Sequence, residues 1–189
     1  MKTMLVMLLV ICAGVCVAEQ QLKIGYSVPE ISAAAWINSS GPVSLMQQRG
    51  KVVVVCFFST EEERSVRAIF EMKRMQEYFA KKGVVFVALT DQDRAKGEVN
   101  RFVARHKITF PVGTSSPTRD QYFVDKDSYA FVIDRAGILV WKGEPEKGLQ
   151  AGIEIALNRT PGVAPATNVT RAVKAGVPER KKAEQQLDN

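Results

Sequence analysis

The sequence predicts an α/β fold, a central mixed β-sheet flanked by helices with a β-rich extension ahead of it. Three observations predict it. Residues 52–58, VVVVCFF, form a continuous apolar, largely β-branched run, as a strand buried on both faces requires. A helical period follows, and then a second apolar run, VVFVAL at 84–89, which makes a strand–helix–strand unit. Near the end, YAFVID (129–134) and ILVWKG (138–143) flank Arg135-Ala136-Gly137 and read as an antiparallel hairpin.

Each element has its own signal. Residues 20–50 read as short strands and turns, LKIGYSVPE and then AAAWINSSGPVSLMQQRGK. After the first buried strand, Ser59-Thr60 is a hydroxyl cap candidate for a helix whose first turn holds Glu61, Glu62 and Glu63. Val66, Ile69, Phe70, Met72, Met75 and Phe79 recur at three and four residues and predict the packing face of that helix. Lys81-Lys82-Gly83 predicts its end. Thr90-Asp91 is placed to cap the following turn, and 94–106 reads as a helix with Val99, Phe102 and Val103 inward and His106 at its end. ITFPV (108–112) reads as a short extended piece limited by Pro111. Residues 146–157 predict a last helix, with Leu149, Ile153, Ala156 and Leu157 on one side.

The two ends read differently. Residues 1–18 combine Lys2, an apolar stretch from Met4 to Val15, and Cys16-Val17-Ala18 at a cleavage position, the pattern of a secretory signal peptide. Lipid attachment at Cys16 is disfavoured by Val15, where a small residue is wanted. From Asn158 to Asn189 the chain has three Pro, few large apolar residues and six Lys/Arg against three Asp/Glu, the composition of a disordered basic tail. The expected organisation is a signal peptide (1–18), one domain (19–157) and this tail (158–189), with the protein periplasmic or secreted. Asn38, Asn158 and Asn168 match the glycosylation sequon, which chance explains adequately.

Composition excludes several classes. The 189 residues are 24% charged and 46% hydrophobic with three Cys, so this is no disulfide-stapled scaffold. The net charge of +6 lies mostly at the two ends, so no nucleic-acid partner is expected. A single His argues against a His-based metal site, and no metal or other cofactor is expected. No apolar run reaches the roughly 20 residues of a bilayer span, so no membrane span is expected after signal cleavage.

The segments LKIGYSVPE, PVSLMQQRGKVVVVCFFST, KKGVVFVALT, ITFPVG and AFVIDRAGILVWKGEP, in that order between Leu22 and Leu157, resemble the extracytoplasmic thioredoxin-like family of the TlpA/ResA type, which borders on the peroxiredoxin or AhpC/TSA group. The resemblance implies a thioredoxin-like fold and thiol–disulfide chemistry in a Trp-Cys-x-x-Cys motif after "Ala-Thr". An ungapped match at Thr60 puts Glu62 and Ser65 at the two Cys positions. It also implies a cis-Pro opposite the motif, where this chain has Ser128. Disulfide exchange requires an attacking thiolate and a second thiol that resolves the mixed disulfide, and neither Glu62 nor Ser65 supplies one. In the positive field of a helix N-terminus Glu62 is expected to be a stable carboxylate, and Ser128 is expected to follow a trans bond.

Cys56, the only thiol left after signal cleavage, sits in the VVVVCFF run and reads as a buried small hydrophobe. Thr60, Glu61, Glu62, Glu63 and Arg64 make a possible binding rim, although successive helical positions about 100° apart do not converge on one ion. A solvated, well-capped helix start accounts for them more plainly. The expected function is a non-catalytic binding or accessory module with an unknown protein partner in the cell envelope. Two alternatives compete with it. One is a thiol–disulfide or antioxidant enzyme acting through Cys56 or a partner's thiols. The other is a structural envelope protein that binds through its basic tail.

Overall fold

The computed structural model describes residues 22–124 and 128–160. The predicted signal peptide and nearly all of the predicted tail lie outside them. Strand β1 (Ala35–Ile37) is followed by β2 (Val52–Phe57), helix α1 (Glu63–Phe79), β3 (Val84–Leu89), α2 (Glu98–Arg105) and β4 (Val112–Thr114). A short helix α3 (Thr118–Gln121), the pair β5 (Tyr129–Ile133) and β6 (Leu139–Gly143), and helix α4 (Leu149–Asn158) complete the chain. One six-stranded sheet runs in the order β1-β4-β3-β2-β5-β6. It is mixed: β2 and β3 are parallel, as are β3 and β4, while β5 lies antiparallel to β2 and β6 to β5.

β2 is central and buried along its whole length. Its side chains alternate between two cores, as a strand's period of two demands. Val52, Val54 and Cys56 join the buried faces of α1, α2 and α4. Val53, Val55 and Phe57 face Ile31, Val43, Leu45 and Tyr122, contributed by the N-terminal segment and the end of α3. The β2–α1–β3 and β3–α2–β4 crossovers step in the same direction across the sheet. Crossovers of one hand then put both helices on one face, and the first 30 described residues cover the other.

Several boundaries differ from those predicted. The helix expected at 94–106 is two pieces: a 3-10 turn, Arg94–Lys96, capped by Asp93, and then α2. The one expected at 146–157 is likewise a turn, Pro145–Lys147, followed by α4. Gly97 (φ +73°) and Gly148 (φ +123°) separate the pieces in a left-handed backbone that ends a helix. The extended piece expected at 108–112 pairs only from Val112, just after Pro111. The N-terminal extension has less β-structure than its sequence suggests, one three-residue strand and an isolated bridge between Ser27 and Ile138. It covers the sheet with side chains rather than with a ladder.

Within α1, Ile69, Met72, Met75 and Phe79 are buried as expected, but Phe70 is 49% exposed and Ala68 and Ser65 are buried in its stead. His106 ends α2 half-buried, with its ring against Phe70 and Phe102. The sequon residue Asn38 commits its Nδ2 to the carbonyls of Ile108 and Phe110, at 2.7 and 3.2 Å.

The pole formed by the β5–β6 turn is tied together by charge and hydrogen bonds. Buried Asp134 accepts the backbone N–H groups of Ala136 and Ile138, each at 2.9 Å, and pairs with Arg159 at 3.1 Å. Arg135 reaches the carbonyl of Leu157 at 2.7 Å, so the end of α4 is fixed to the hairpin.

α4 crosses Trp141 so closely that a Cβ on Gly152 would lie 2.6 Å from Trp141 Cγ. Gly152→Val is therefore expected to lower stability by about 1–3 kcal/mol, read as a shift of the urea midpoint at constant slope. Glu30 bridges the turn at 44–46. Burial pushes its carboxyl up, but hydrogen bonds from Leu45, Ile31, Met46 and Ser44 outweigh this and hold it below its ordinary value of 4.5. A carboxylate depressed in this way stabilises the fold above its unfolded pKa, and that support is lost as pH falls through the lower, folded value. Glu30→Gln should flatten the acid limb of a stability–pH curve, by under about 1 kcal/mol because the group is solvent-screened.

Candidate functional site

The site lies where β2 ends. Phe58 continues the strand by donating its N–H to Leu89 at 3.0 Å, and the chain then leaves the sheet toward α1. α1 begins at Glu63, later than the sequence suggests. Glu62 is its cap, since the Glu62 carbonyl accepts the first helical bond from Val66 N–H at 3.2 Å. Ser59 and Thr60 do not cap the helix, because their backbone groups are bonded elsewhere. Ser59 N–H donates to Ser65 Oγ at 3.0 Å, and Thr60 N–H to Gln92 Oε1 at 2.8 Å. These bonds hold 59–60 out of helical conformation.

Ser65 is fully buried in the first turn of α1. Ser128, also buried, stands opposite at the start of β5, with its N–H donated to the Phe57 carbonyl at 3.1 Å. The two hydroxyls meet at 3.2 Å. The contact links residues 63 apart, one from the helix after β2 and one from the strand beside it. Ser128 has φ +74°, left-handed for a non-glycine residue, and no cis peptide occurs among the described residues.

Around this pair is a layer of hydroxyl and amide groups. Gln92, just after β3, is its hub. It donates Nε2–H to Thr60 Oγ1 at 2.9 Å, accepts Thr60 N–H, and lies 3.4 Å from Thr90 Oγ1. The Gln92 carbonyl accepts Ser115 N–H at 3.0 Å. One amide side chain thus ties the loops after β2 and β3, and its backbone reaches the loop after β4. Sequence reasoning missed Gln92. Its only sequence signal was a position two residues after Thr90, at the exit of a buried strand.

The predicted rim is at this mouth but does not converge. Glu61, Glu62, Glu63 and Arg64 are all exposed, and Glu63 pairs with Arg67 one turn along at 2.6 Å. Cys56 lies one residue before the end of β2 on the helix-covered face, with no exposed surface. Burial, reinforced by the negative charge of Glu146, pushes its thiol far up from the ordinary range. A thiol held neutral and out of reach is a poor nucleophile. Among the described residues no three His, Cys, Asp or Glu side chains gather as a metal site would need. The arrangement offers oxygen donors and acceptors and no reachable sulfur.

The sheet order, the helix placement and the contact between the first turn of α1 and the start of the antiparallel strand β5 define a thioredoxin-like domain. Solved structures share the fold. A thioredoxin-like superfamily protein, SPOA0173, matches at 24% identity with a TM-score of 0.64, covering 74% of this chain and 99% of that one. A protein described as the thiol:disulfide interchange protein DsbE from Chlorobium tepidum gives 24% and 0.64, covering 73% and 100%. A thiol-disulfide isomerase from Corynebacterium glutamicum gives 20% and 0.62, covering 70% and 97%. The AhpC/TSA family model matches residues 24–142, more than half of the sequence, and the chain belongs to that family. No curated protein matches it significantly.

Gln92→Ala should leave the fold intact but loosen the mouth. Loss of its two bonds to Thr60 is expected to lower stability by about 1–2 kcal/mol. It should also speed amide exchange at Thr60 without changing exchange in β2.

Proposed function

We propose that this protein is an exported thioredoxin-like domain that performs no thiol–disulfide exchange and serves as a binding or accessory module in the cell envelope. The observation that carries the reading is the Ser65–Ser128 contact at 3.2 Å, set at the mouth of α1 where the family resemblance expects the resolving cysteine and the cis-proline. The two hydroxyls are buried against each other, and a hydroxyl cannot accept electrons from a dithiol. With Glu62 as the α1 cap in place of the attacking thiol, neither half-reaction has its sulfur. Cys56 does not replace them, being enclosed on the helix side of the central strand. Export rests on the signal-like residues 1–18, which lie outside the described residues. The partner is proposed to be a protein that meets the exposed acidic rim, Glu61 to Glu63, at the mouth of α1.

The test is a disulfide-reductase assay read beside a thiol titration of the chain from residue 19 onward. Insulin reduction is expected to stay at the uncatalysed rate. The native protein is expected to be inert to a thiol reagent and to release one thiol per chain in denaturant. Reduction at a rate ordinary for thiol–disulfide oxidoreductases would sink the proposal. Activity that disappears in Cys56→Ser would replace it with the enzyme reading.

A further inference from the structure

A second surface is distinct from the mouth of α1. Charge in the folded domain is segregated onto the helical layer. Residues 63–82 carry six Lys/Arg against three Glu, and residues 98–107 carry three Lys/Arg against one Glu. The two segments form one continuous face. Lys73 Nζ donates to the His106 carbonyl at 2.6 Å, Thr109 Oγ1 to Gln76 Oε1 at 2.9 Å, and the Phe70 and His106 rings meet edge to face at 5.3 Å.

Two large aromatic side chains stand out of this face, Phe70 at 49% exposure and Tyr78 at 59%. They lie eight residues apart on α1, about 12 Å along the axis. Cations accompany both. Lys73 Nζ lies 6.0 Å from the Phe70 ring, and Lys82 Nζ lies 4.9 and 5.0 Å from the rings of Tyr78 and Phe79. Each ammonium thus lies within cation–π range of an aromatic ring. The acidic residues Glu61 to Glu63 are at the opposite end of the same helix; within its C-terminal half Lys73 and Arg74 are balanced by Glu71 and Glu77, and the excess positive charge sits just past that end, at Lys81 and Lys82, and at the end of α2, at Arg105 and Lys107.

We propose that this face docks the domain on an anionic phospholipid surface. Phe70 and Tyr78 would enter the headgroup layer, while Lys81, Lys82, Arg105 and Lys107 meet lipid phosphates. Exposed aromatic rings flanked by cations supply the two parts of an interfacial contact, ring insertion and attraction to an anionic leaflet. Repulsion of the acidic mouth from the same surface sets the orientation, with the Ser65–Ser128 pair turned away from the lipid. This proposal does not depend on that site being redox-inactive.

The test is co-sedimentation of the chain from residue 19 onward with vesicles of phosphatidylcholine alone and with equal parts phosphatidylglycerol. The parent chain is expected to bind the anionic vesicles more tightly and to release with added salt. Lys81→Glu with Lys82→Glu should weaken the anionic-vesicle affinity at least about tenfold. Arg105→Glu with Lys107→Glu, on the other helix, should act in the same direction. Phe70→Ser with Tyr78→Ser should weaken binding while its salt dependence persists. All of these residues are at the surface, and circular dichroism checks that each variant is folded. Equal binding to both vesicle types would overturn the proposal. So would folded variants of both charge pairs that bind like the parent, a result that would move any lipid affinity to the chain ends. Binding to a soluble polyanion but not to vesicles would overturn it in favour of an acidic macromolecule.

Discussion

The architecture depends on burying one strand from both sides. β2 has no polar side chain along Val52–Phe57, so neither face of the sheet centre tolerates water. At roughly 1.5–3 kcal/mol per fully buried large apolar side chain, exposing the three β2 side chains of either face would cost an amount comparable with the whole marginal stability of a domain this size. Helices reached by crossovers cover one face because parallel neighbours require such connections. The other face must be covered by chain that precedes β2, and this explains why a segment with so little regular structure of its own is well packed. Tyr122 shows how that layer is secured: its ring packs against Phe57 and Phe131, and its hydroxyl bonds the Pro29 carbonyl at 2.8 Å.

Much of this was legible in the sequence because the period of apolar residues is set directly by geometry. The VVVVCFF and VVFVAL runs, the α1 positions from Ile69 to Phe79 and the hairpin around Ala136 all announce themselves in this way. What was not legible was decided by contacts distant in sequence. The start of α1 moved to Glu63 because Ser65 and Gln92 compete for the backbone of Ser59 and Thr60, a competition no local cap rule can see. Phe70 fits the helical stripe by spacing, yet it stands at the edge where α2 ends, and His106 rather than the core meets its ring. The two interrupted helices were foreseeable in principle, since Gly97 and Gly148 were visible. A helix tolerates an isolated glycine at about 1 kcal/mol, however, and only the tertiary path required the left-handed turn.

The site was legible in its members but not in its organisation. The hydroxyls at 65 and 128 are ordinary residues in ordinary local settings. Their significance comes from the pairing of β2 with β5, which sets the second at the mouth of the helix holding the first. Around them the polar groups bond to one another, with Gln92 at the centre, so the mouth is neither hydrophobic nor empty of hydrogen-bonding capacity.

The clasp at the far pole has a practical corollary. Arg135 and Asp134 hold the end of α4 against the hairpin, at the end of β5 remote from Ser128. β5 spans five residues, about 17 Å of extended chain. Whatever is grafted after Thr160, whether an affinity handle, a fluorophore or a solid support, begins its path on the side of the domain that the mouth does not share. Immobilisation through that end therefore leaves the exposed residues of the mouth, Glu61 to Arg64, facing solution.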